Sequence, residues 1–529
     1  MPDPNAGATE SLEAGRLPFR TALAIWVILL AVATGNLYFF YSRGLSNLYG
    51  DGIAHMEGAR RIFDSLTPGY GEIGSVWLPL FHLLAAPLAQ NDFLWRTGLG
   101  GSLLSTAAFV VTAWFLFRLS FEMNRNLAAG VLSLAAIVLC PNMLYLVSTP
   151  LTEPLALMWS VLVVYGIFRF RESGRRRYLL AAGSAAFLGT LTRYDEWYVL
   201  PFAALVVLFA RGDPWRIRLR NAVIFSVISG AGPVLWFLHN VYRFGNALEF
   251  YNGAFSARAI YAQQLATTAF PYPTDGSLLL SARYYLEDLK LVIGAWPLEL
   301  AALGLVAGIV DRHQLGRRCP ALLFVVSLPF YIHAMAYAAI PLYVPTLFPN
   351  TYYNLRYGLE MLPAVAILPS FVLGAPLPRF LRGVLLAAFL GVLAGQGISS
   401  ASRGASELVV AKEGALNTPC RSKRQQAVIR FLRGRYGGQA VLIAAGKWPC
   451  VMPEVGIPYR KTLTDANREY WVRLRSQPQK WVEWIIRGDG DAVDELMRAY
   501  PQAFASFDLI EKDTFAGEAG VQIYRRRPL

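Results

Sequence analysis

The stretch TALAIWVILLAVATGNLYFFY, residues 21–41, contains no charged residue. A helix of this length spans the hydrocarbon core of a bilayer, which is roughly 30 Å thick. The stretch lacks the small-residue cleavage site of a removable signal peptide. We therefore predict a retained membrane helix, preceded by a cytoplasmic N-terminal tail over residues 1–20.

The rest of the chain has the composition of a polytopic membrane protein. Of its 529 residues, 55% are hydrophobic and only 16% are charged. Further apolar segments lie at about 95–117, 127–147, 155–170, 178–191, 198–210, 222–241, 289–310, 321–340, 355–373 and 380–398. The sequence therefore predicts an α-helical membrane protein with about eleven transmembrane helices.

Orientation follows from the arginines of the short loops. RESGRRR (171–177), RGDPWRIRLR (211–220), RHQLGRR (312–318) and PRFLR (378–382) fall on one predicted side, which the positive-inside rule makes cytoplasmic. This arrangement accounts for much of the +14 net charge, so no nucleic acid partner is needed. It predicts a membrane domain over 21–398, with external loops at 42–94 and 242–288, and an extracytoplasmic domain over 399–529.

The segment 399–529 alternates helical and strand-like patterns, which favours a small α/β domain. Cys420 and Cys450 lie in it and could form a disulfide in an oxidising compartment or remain separate thiols. The domain could recognise the acceptor, stabilise the fold or bind cell-wall material. The sequence does not decide between these roles.

The stretch YGDGIAHMEGARRIFDS, residues 49–65, carries charged residues directly after the first apolar run. Its apolar spacing predicts an amphipathic helix at the membrane surface. Asp51 and His55 are four residues apart and share one face of that helix. Asp51 could be a helix N-cap or an acid–base residue, and Arg60 and Arg61 could meet anionic lipid.

Several motifs together resemble a known superfamily. The chain has an apolar first helix and an external loop with an early aspartate. VWLPLFHLLAAP (76–87), TPLTEPLAL (149–157), TLTRYDEWYVLP (190–201) and LRYGLEMLP (355–363) then follow in order. This pattern, over about 21–398, is similar to the GT-C superfamily of integral-membrane glycosyltransferases. Within the superfamily it most resembles the protein-mannosyltransferase and aminoarabinose-transferase group, which uses polyprenyl-phosphate sugars.

The resemblance implies that Asp51 is the general base. It would take a proton from an acceptor hydroxyl or amine while the anomeric carbon inverts and the lipid phosphate leaves. Many members carry a second acid beside the first, and some bind a divalent cation there, with Asp51 as the ligand in this chain. Gly52 occupies the neighbouring position here, which puts a metal in doubt and leaves Glu72 as a second catalytic candidate, or as an exposed loop glutamate.

The resemblance also implies an arginine that contacts the donor phosphate. Arg356 has the matching position, with a snorkelling anchor as its alternative. Arg193 and Arg258 are further phosphate candidates. The predicted site-lining residues are His55, Glu153, Asp195 and Glu196. Helix capping alone could explain Glu153, and an internal salt bridge could explain Arg193 with Asp195 and Glu196.

The resemblance thus implies a glycosyltransferase of the cell (inner) membrane. Its donor is a polyprenyl-phosphate sugar, and its acceptor on the outer face is a lipid, glycan or protein. We find no Walker loop or dinucleotide fingerprint, so no nucleotide cofactor is expected. The alternative is a transporter or flippase, but the sequence indicates no paired repeats or interrupted helices. A third possibility is an oligosaccharide polymerase or ligase that uses a diphosphate-linked donor. Such an enzyme would usually have an arginine-rich external loop, and the predicted external loops of this chain are not that basic.

Overall fold

The computed structural model describes residues 17–210, 212–268, 270–515 and 517–528. Most of the predicted tail over 1–20 lies outside the described residues. The first helices are α1 (Phe19–Ser42), α2 (Gly50–Arg61), α3 (Leu80–Ala89), α4 (Asp92–Arg96), α5 (Leu99–Asn124), α6 (Leu127–Val138), α7 (Pro141–Leu146), α8 (Glu153–Ser173), α9 (Arg176–Thr190), α10 (Asp195–Leu208) and α11 (Trp215–Phe244).

The second half of the chain continues with helices and ends in strands. The helices are α12 (Glu249–Asn252), α13 (Ala257–Thr268), α14 (Leu278–Val292), α15 (Ala295–Val310), α16 (Arg312–Arg318), α17 (Ser327–Tyr337), α18 (Leu362–Ile367), α19 (Ser370–Leu373), α20 (Arg379–Ala401), α21 (Val409–Asn417), α22 (Lys423–Leu432), α23 (Val451–Val455), α24 (Arg468–Arg473) and α25 (Ala492–Ala499). The strands are β1 (Val441–Leu442), β2 (Thr462–Leu463), β3 (Trp484–Gly488), β4 (Phe507–Phe515) and β5 (Glu518–Arg526). Turns of 3₁₀ helix include Tyr70–Ile73, Cys319–Val326 and Leu355–Met361.

The chain divides into two compact units. The first comprises the described residues up to Ser46, together with Ser75–Phe81 and Ser102–Leu416. Among the described residues, 7 helical segments are long and apolar enough to cross a membrane, or 8 if one bent pair counts as a span. They are Phe19–Ser42, Leu99–Asn124, Glu153–Ser173, Trp215–Phe244, Arg312–Tyr337, Leu355–Leu373 and Arg379–Ala401.

Among the described residues, fewer helices are long and apolar enough to cross a membrane than the eleven crossings predicted, because some apolar segments form short helices. The segments at 178–191 and 198–210 became α9 and α10, of 15 and 14 residues. At 1.5 Å per residue, such helices are shorter than a hydrocarbon core of about 30 Å. Eleven crossings therefore stay a prediction.

One apolar segment is broken by a sharp bend. Helices α14 and α15 meet at 111°. Gly294 lies at the break with φ +107°, and a Cβ there would lie 2.3 Å from the side chain of Gln396. The sequence did not indicate this bend, because a single glycine in an apolar run gives no sign of its backbone conformation.

Small residues let the helices of the first unit approach closely. A Cβ on Gly166 of α8 would lie 2.9 Å from the Cβ of Ala182 on α9. A Cβ on Gly232 of α11 would lie 2.1 Å from the Oγ1 of Thr190, the last residue of α9. Close contacts of this kind are typical of membrane helix packing. They fix the end of α9, and with it the short loop that carries Arg193.

The second unit comprises Asn47–Gly74, His82–Gly101 and Asn417–Leu529. Its sheet has the strand order β2-β1-β3-β5-β4. Strands β1, β2 and β3 run parallel, while β5 runs antiparallel to both β3 and β4. This confirms the predicted small α/β domain.

Cys420 and Cys450 form a disulfide, so of the two alternatives the structure has the pair. The bridge joins the turn before α22 to the residue before α23, over a sequence separation of 30. A cross-link over such a loop stabilises a domain mainly by restricting the unfolded chain.

Replacing both cysteines by serine is expected to lower the free energy of unfolding of the α/β domain by about 2–4 kcal/mol. Thermal unfolding with and without a thiol reductant measures this effect. Cys319→Ser is the matched control, because Cys319 forms no disulfide. An unchanged melting temperature of the wild-type domain under reduction would contradict the prediction.

Candidate functional site

Charged side chains from four parts of the first unit meet in its interior. We call Glu153, Arg193, Asp195, Arg356, Glu360 and Glu413 the charged cluster. Glu153 begins α8, Arg193 and Asp195 flank the start of α10, Arg356 and Glu360 share the 3₁₀ turn Leu355–Met361, and Glu413 lies on α21. Arg193 is the most exposed member, with 15% of its side chain accessible. Ionisable groups at such depth in a membrane protein pair with one another or line a cavity.

Arg193 faces three carboxylates. Its Nη1 lies 3.1 Å from Oε1 of Glu153, and its Nε lies 3.3 Å from Oδ2 of Asp195 and 3.7 Å from Oε1 of Glu360. Its Nη2 also donates to the phenol oxygen of Tyr331 at 3.0 Å. The internal salt bridge foreseen for Arg193 and Asp195 is thus present, within a larger network.

Arg356 faces two carboxylates and is only 5% exposed. Its Nε donates to Oε1 of Glu153 at 2.8 Å, and its Nη1 donates to Oε1 of Glu413 at 3.4 Å. The snorkelling alternative is therefore wrong, because a snorkelling arginine exposes its guanidinium to water. Helix capping alone is also insufficient for Glu153, which bonds both arginines.

Glu413 binds backbone as well as charge. Its two oxygens accept hydrogen bonds of 2.8 Å from the backbone N–H groups of Asn354 and Leu355. Asn354 has a left-handed backbone, φ +59°, just before the 3₁₀ turn that carries Arg356. Glu413 therefore fixes the backbone at the point where Arg356 enters the cluster.

A stack of tyrosines lies beside the arginines. The rings of Tyr285 and Tyr331 are stacked at 5.3 Å, and those of Tyr331 and Tyr357 at 5.1 Å. The guanidinium carbons of Arg193 and Arg356 lie 5.3 and 5.0 Å from the ring centre of Tyr357. Tyr357 thus supplies an aromatic face for both cations.

Carboxylates outnumber guanidiniums in the charged cluster by four to two. Any anion that binds Arg193 or Arg356 must therefore compete with carboxylates that already face them. The cluster both fixes the ends of several helices and concentrates arginine beside acid.

In the first unit, the predicted site residues Glu196 and Arg258 lie outside the hydrogen bonds and ion pairs described above. The Glu196 side chain is buried against α9, where a Cβ on Gly189 would lie 3.2 Å from its Oε2. Arg258 lies on α13, with its guanidinium 4.8 Å from the ring centre of Tyr251, to whose hydroxyl it donates a hydrogen bond.

Asp51 lies in the second unit, within the first turn of α2. Tyr49 occupies the N-cap position, so the N-cap interpretation of Asp51 is wrong. One turn along, the Nδ1 of His55 lies 3.0 Å from Nε2 of His82 on α3, and both rings are buried. Helix α2 is thus packed tightly against α3, and Asp51 lies in the turn that precedes this contact.

Glu72 is not the exposed loop glutamate that the sequence also allowed. Its Oε2 lies 2.6 Å from Nη2 of Arg61, and its side chain is only 8% exposed. Arg61 also lies 3.8 Å from Glu57, whose pKa is raised by burial and lowered in part by Arg61. Glu72 thus ties its own turn to α2, and a catalytic role for it stays a prediction.

The described residues contain no group of three or more His, Cys, Asp or Glu side chains that could hold a metal ion. Asp51 has Gly52 beside it and so offers a single carboxylate, whereas Mg²⁺ is usually held by one or two carboxylates together with waters and substrate phosphates. A metal at Asp51 therefore stays a prediction, and no step of the chemistry proposed below passes through one.

Known proteins resemble this chain both in sequence and in fold. Residues 94–237 match the family model described as dolichyl-phosphate-mannose-protein mannosyltransferase. The fold is similar to that of ArnT from Cupriavidus metallidurans bound to undecaprenyl phosphate, with a TM-score of 0.55, 13% sequence identity, and 94% of this chain and 97% of that chain covered. The chain has a GT-C fold. The resemblance seen in the sequence is thereby confirmed.

A second structure agrees with this result. The structure of ArnT from the same organism in the apo state is similar to this chain with a TM-score of 0.50 and 15% sequence identity, and it again covers 94% of this chain and 97% of that chain. No curated protein sequence matches the chain. The fold and the apolar helices together make it a multi-pass membrane protein.

Sequence reasoning missed Glu360, Glu413 and Tyr331. Glu360 could have been found, since it follows Arg356 by four residues within LRYGLEMLP. Glu413 gave no signal, because it lies in a short polar helix that read as part of the external domain. Tyr331 lies in an apolar segment and reads as an ordinary membrane aromatic residue.

Proposed function

We propose that the protein is a glycosyltransferase that moves a sugar from a polyprenyl-phosphate donor to an acceptor on the outer face of the cell membrane. The observation that carries this proposal is the family match over 94–237, because that segment contains Glu153, Arg193 and Asp195 of the charged cluster. The match to a mannosyltransferase family and the buried charges thus fall on the same part of the chain.

The donor class is supported by one neighbour. ArnT, which has a similar fold, was solved with undecaprenyl phosphate. A sugar phosphate needs positive charge at its leaving group rather than a proton, because phosphate leaves readily. Arginine binds phosphate through a planar fork and stays ionised, which suits Arg356 and Arg193.

In the proposed reaction, Asp51 is the general base. The oxygen or nitrogen of the acceptor attacks the anomeric carbon, its proton passes to a carboxylate oxygen of Asp51, and the bond to the lipid phosphate breaks. A single displacement inverts the anomeric centre. General-base catalysis of this kind contributes about 10²- to 10⁴-fold in rate.

The outer face is supported by the disulfide between Cys420 and Cys450. Disulfides persist in oxidising compartments and are rare in the cytosol. The arginine-rich short loops support the opposite side as cytoplasmic. The α/β domain and the loop carrying Asp51 are therefore proposed to be extracytoplasmic.

The proposal can be tested without knowing in advance which sugar is transferred. The purified protein in nanodiscs is incubated with a panel of radiolabelled undecaprenyl-phosphate sugars and with membranes from a strain lacking its gene, as acceptor source. We expect one donor to release undecaprenyl phosphate and to label the membrane fraction, whereas protein-free nanodiscs do neither.

The bend at Gly294 is the one observation favouring a transporter. Accumulation of an intact solute in sealed vesicles, without any glycosidic product, would contradict the proposal that the protein is a glycosyltransferase.

A further inference from the structure

The first external loop and the C-terminal domain form one compact unit. Residues Asn47–Gly74 and His82–Gly101 group with Asn417–Leu529, more closely than with the membrane helices. The helix that carries Asp51 therefore belongs structurally with a domain that lies far downstream in the chain. The contacts within this unit identify the residues that hold the helix in place.

Arg60, in the last turn of α2, is the centre of a buried network. Its Nε donates to Oδ2 of Asp64 at 2.8 Å, and its Nη1 donates to the carbonyl oxygens of Ala89 and Gln90 at 2.8 and 2.9 Å. Its Nη2 lies 2.8 Å from Oδ1 of Asp92. Arg60 is only 6% exposed, so the interpretation of this residue as lipid-facing is wrong.

The other oxygen of Asp64 binds the C-terminal domain. Its Oδ1 accepts hydrogen bonds from Nη1 of Arg460 at 2.8 Å and from the backbone N–H of Arg460 at 3.3 Å. Asp64 is 3% exposed, so both of its oxygens are committed to arginines inside the protein. The series Arg60–Asp64–Arg460 thus links the end of α2 to a residue that lies 396 positions after Asp64.

Two further contacts support this link. The ring of Tyr459 lies 5.6 Å from that of Trp95, which itself lies under the guanidinium of Arg60 at 4.8 Å. Burial raises the pKa of Tyr459 well above its ordinary value, and Glu57 and Asp64 add to the rise, so the phenol stays neutral beside these carboxylates.

The N-terminal end of α2 also meets the C-terminal domain. A Cβ on Gly50, the residue before Asp51, would lie 3.4 Å from Cδ of Pro419. Pro419 directly precedes Cys420, which is bonded to Cys450. The C-terminal domain therefore contacts α2 beside Asp51 and again at its last turn.

We propose that the C-terminal α/β domain positions the helix that carries Asp51, with Arg460 as the positioning residue. The inference rests on the proposed function for its catalytic meaning, and it assigns a role to a domain that the sequence left undecided. Arg460 acts through Asp64 and Arg60 and does not itself touch substrate in this proposal. A small displacement of a catalytic group can lower a rate by up to about 10²-fold.

The test compares two arginines of equal exposure. Arg460→Ala removes an ion pair of 2.8 Å from a side chain that is 60% exposed, and the control Arg527→Ala removes its pair with Asp508, also 2.8 Å and 60% exposed. Arg460→Ala should lower kcat about tenfold with an unchanged KM for the donor. Arg460→Lys, which keeps the charge and the backbone bond, should recover most of kcat. Arg527→Ala should leave both constants unchanged.

Hydrogen exchange separates the inference from the proposed function. Amides of α2 should exchange at least about tenfold faster in Arg460→Ala than in wild type or Arg527→Ala, whether or not sugar transfer is detected. If the α2 amides exchange faster in Arg460→Ala but the wild-type protein shows no sugar transfer, the proposed function is wrong, whereas the structural link between α2 and Arg460 is supported. Unchanged exchange and unchanged kcat in a folded Arg460→Ala protein would overturn the inference.

Discussion

Replacing Asp51 by asparagine is expected to lower the rate of sugar transfer by about 10²- to 10⁴-fold. Asparagine has nearly the same shape as aspartate but cannot accept the proton of the acceptor. Asp51 lies in the first turn of α2 and is not the N-cap, so helix stability should change little. Initial rates of undecaprenyl-phosphate release, measured at equal amounts of folded protein, give the result.

The control for this substitution is Glu495→Gln. Glu495 is an exposed carboxylate in the first turn of α25, in the same unit, and its loss also removes one negative charge from a helix N-terminus. We expect Glu495→Gln to retain the wild-type rate. If Asp51→Asn also retained it, Asp51 would not be the base, and Glu72 would be the next carboxylate to replace.

The sequence predicted those features that a local pattern carries. Apolar segments of about 20 residues predicted membrane helices. The alternation of helical and strand-like patterns predicted the α/β domain. The order of four short motifs was enough to indicate the GT-C fold. Arg193, Asp195 and Glu196 were picked out because ionisable residues in apolar surroundings require an explanation, and Arg356 because its position matches the resemblance.

The sequence could not indicate which charged residue faces which. Glu413 lies 57 residues after Arg356, on a helix that looks like any surface helix, yet it binds the backbone at Asn354. Asp64 and Arg460 are equally ordinary in sequence, because an ion pair between distant segments has no periodicity. Glu196 shows the opposite case, since it neighbours Asp195 in sequence but its side chain packs against α9.

Replacing Arg356 by methionine is expected to destabilise the first unit by about 3–5 kcal/mol. Methionine fills much of the same volume, but Glu153 loses one of its two cations and Glu413 loses the guanidinium that it faces. A buried carboxylate without a counter-ion is far more costly than a broken surface pair. Thermal unfolding in nanodiscs measures the loss. Lys290→Met is the control, because Lys290 is 53% exposed and its pair with Glu287 should contribute at most about 1 kcal/mol.

A second substitution separates a structural Arg356 from one that binds phosphate. Glu413→Gln keeps Arg356 but removes one of the negative charges that compete for it. If Arg356 binds the donor phosphate, Glu413→Gln should lower the KM for the donor even though it destabilises the fold, while Arg356→Lys should raise this KM about tenfold because lysine lacks the planar fork. If Arg356 only fixes the helix ends, both variants should lose stability with an unchanged KM. The sign of the change in KM for Glu413→Gln thus decides between the two roles, because no loss of structure by itself makes a donor bind more tightly.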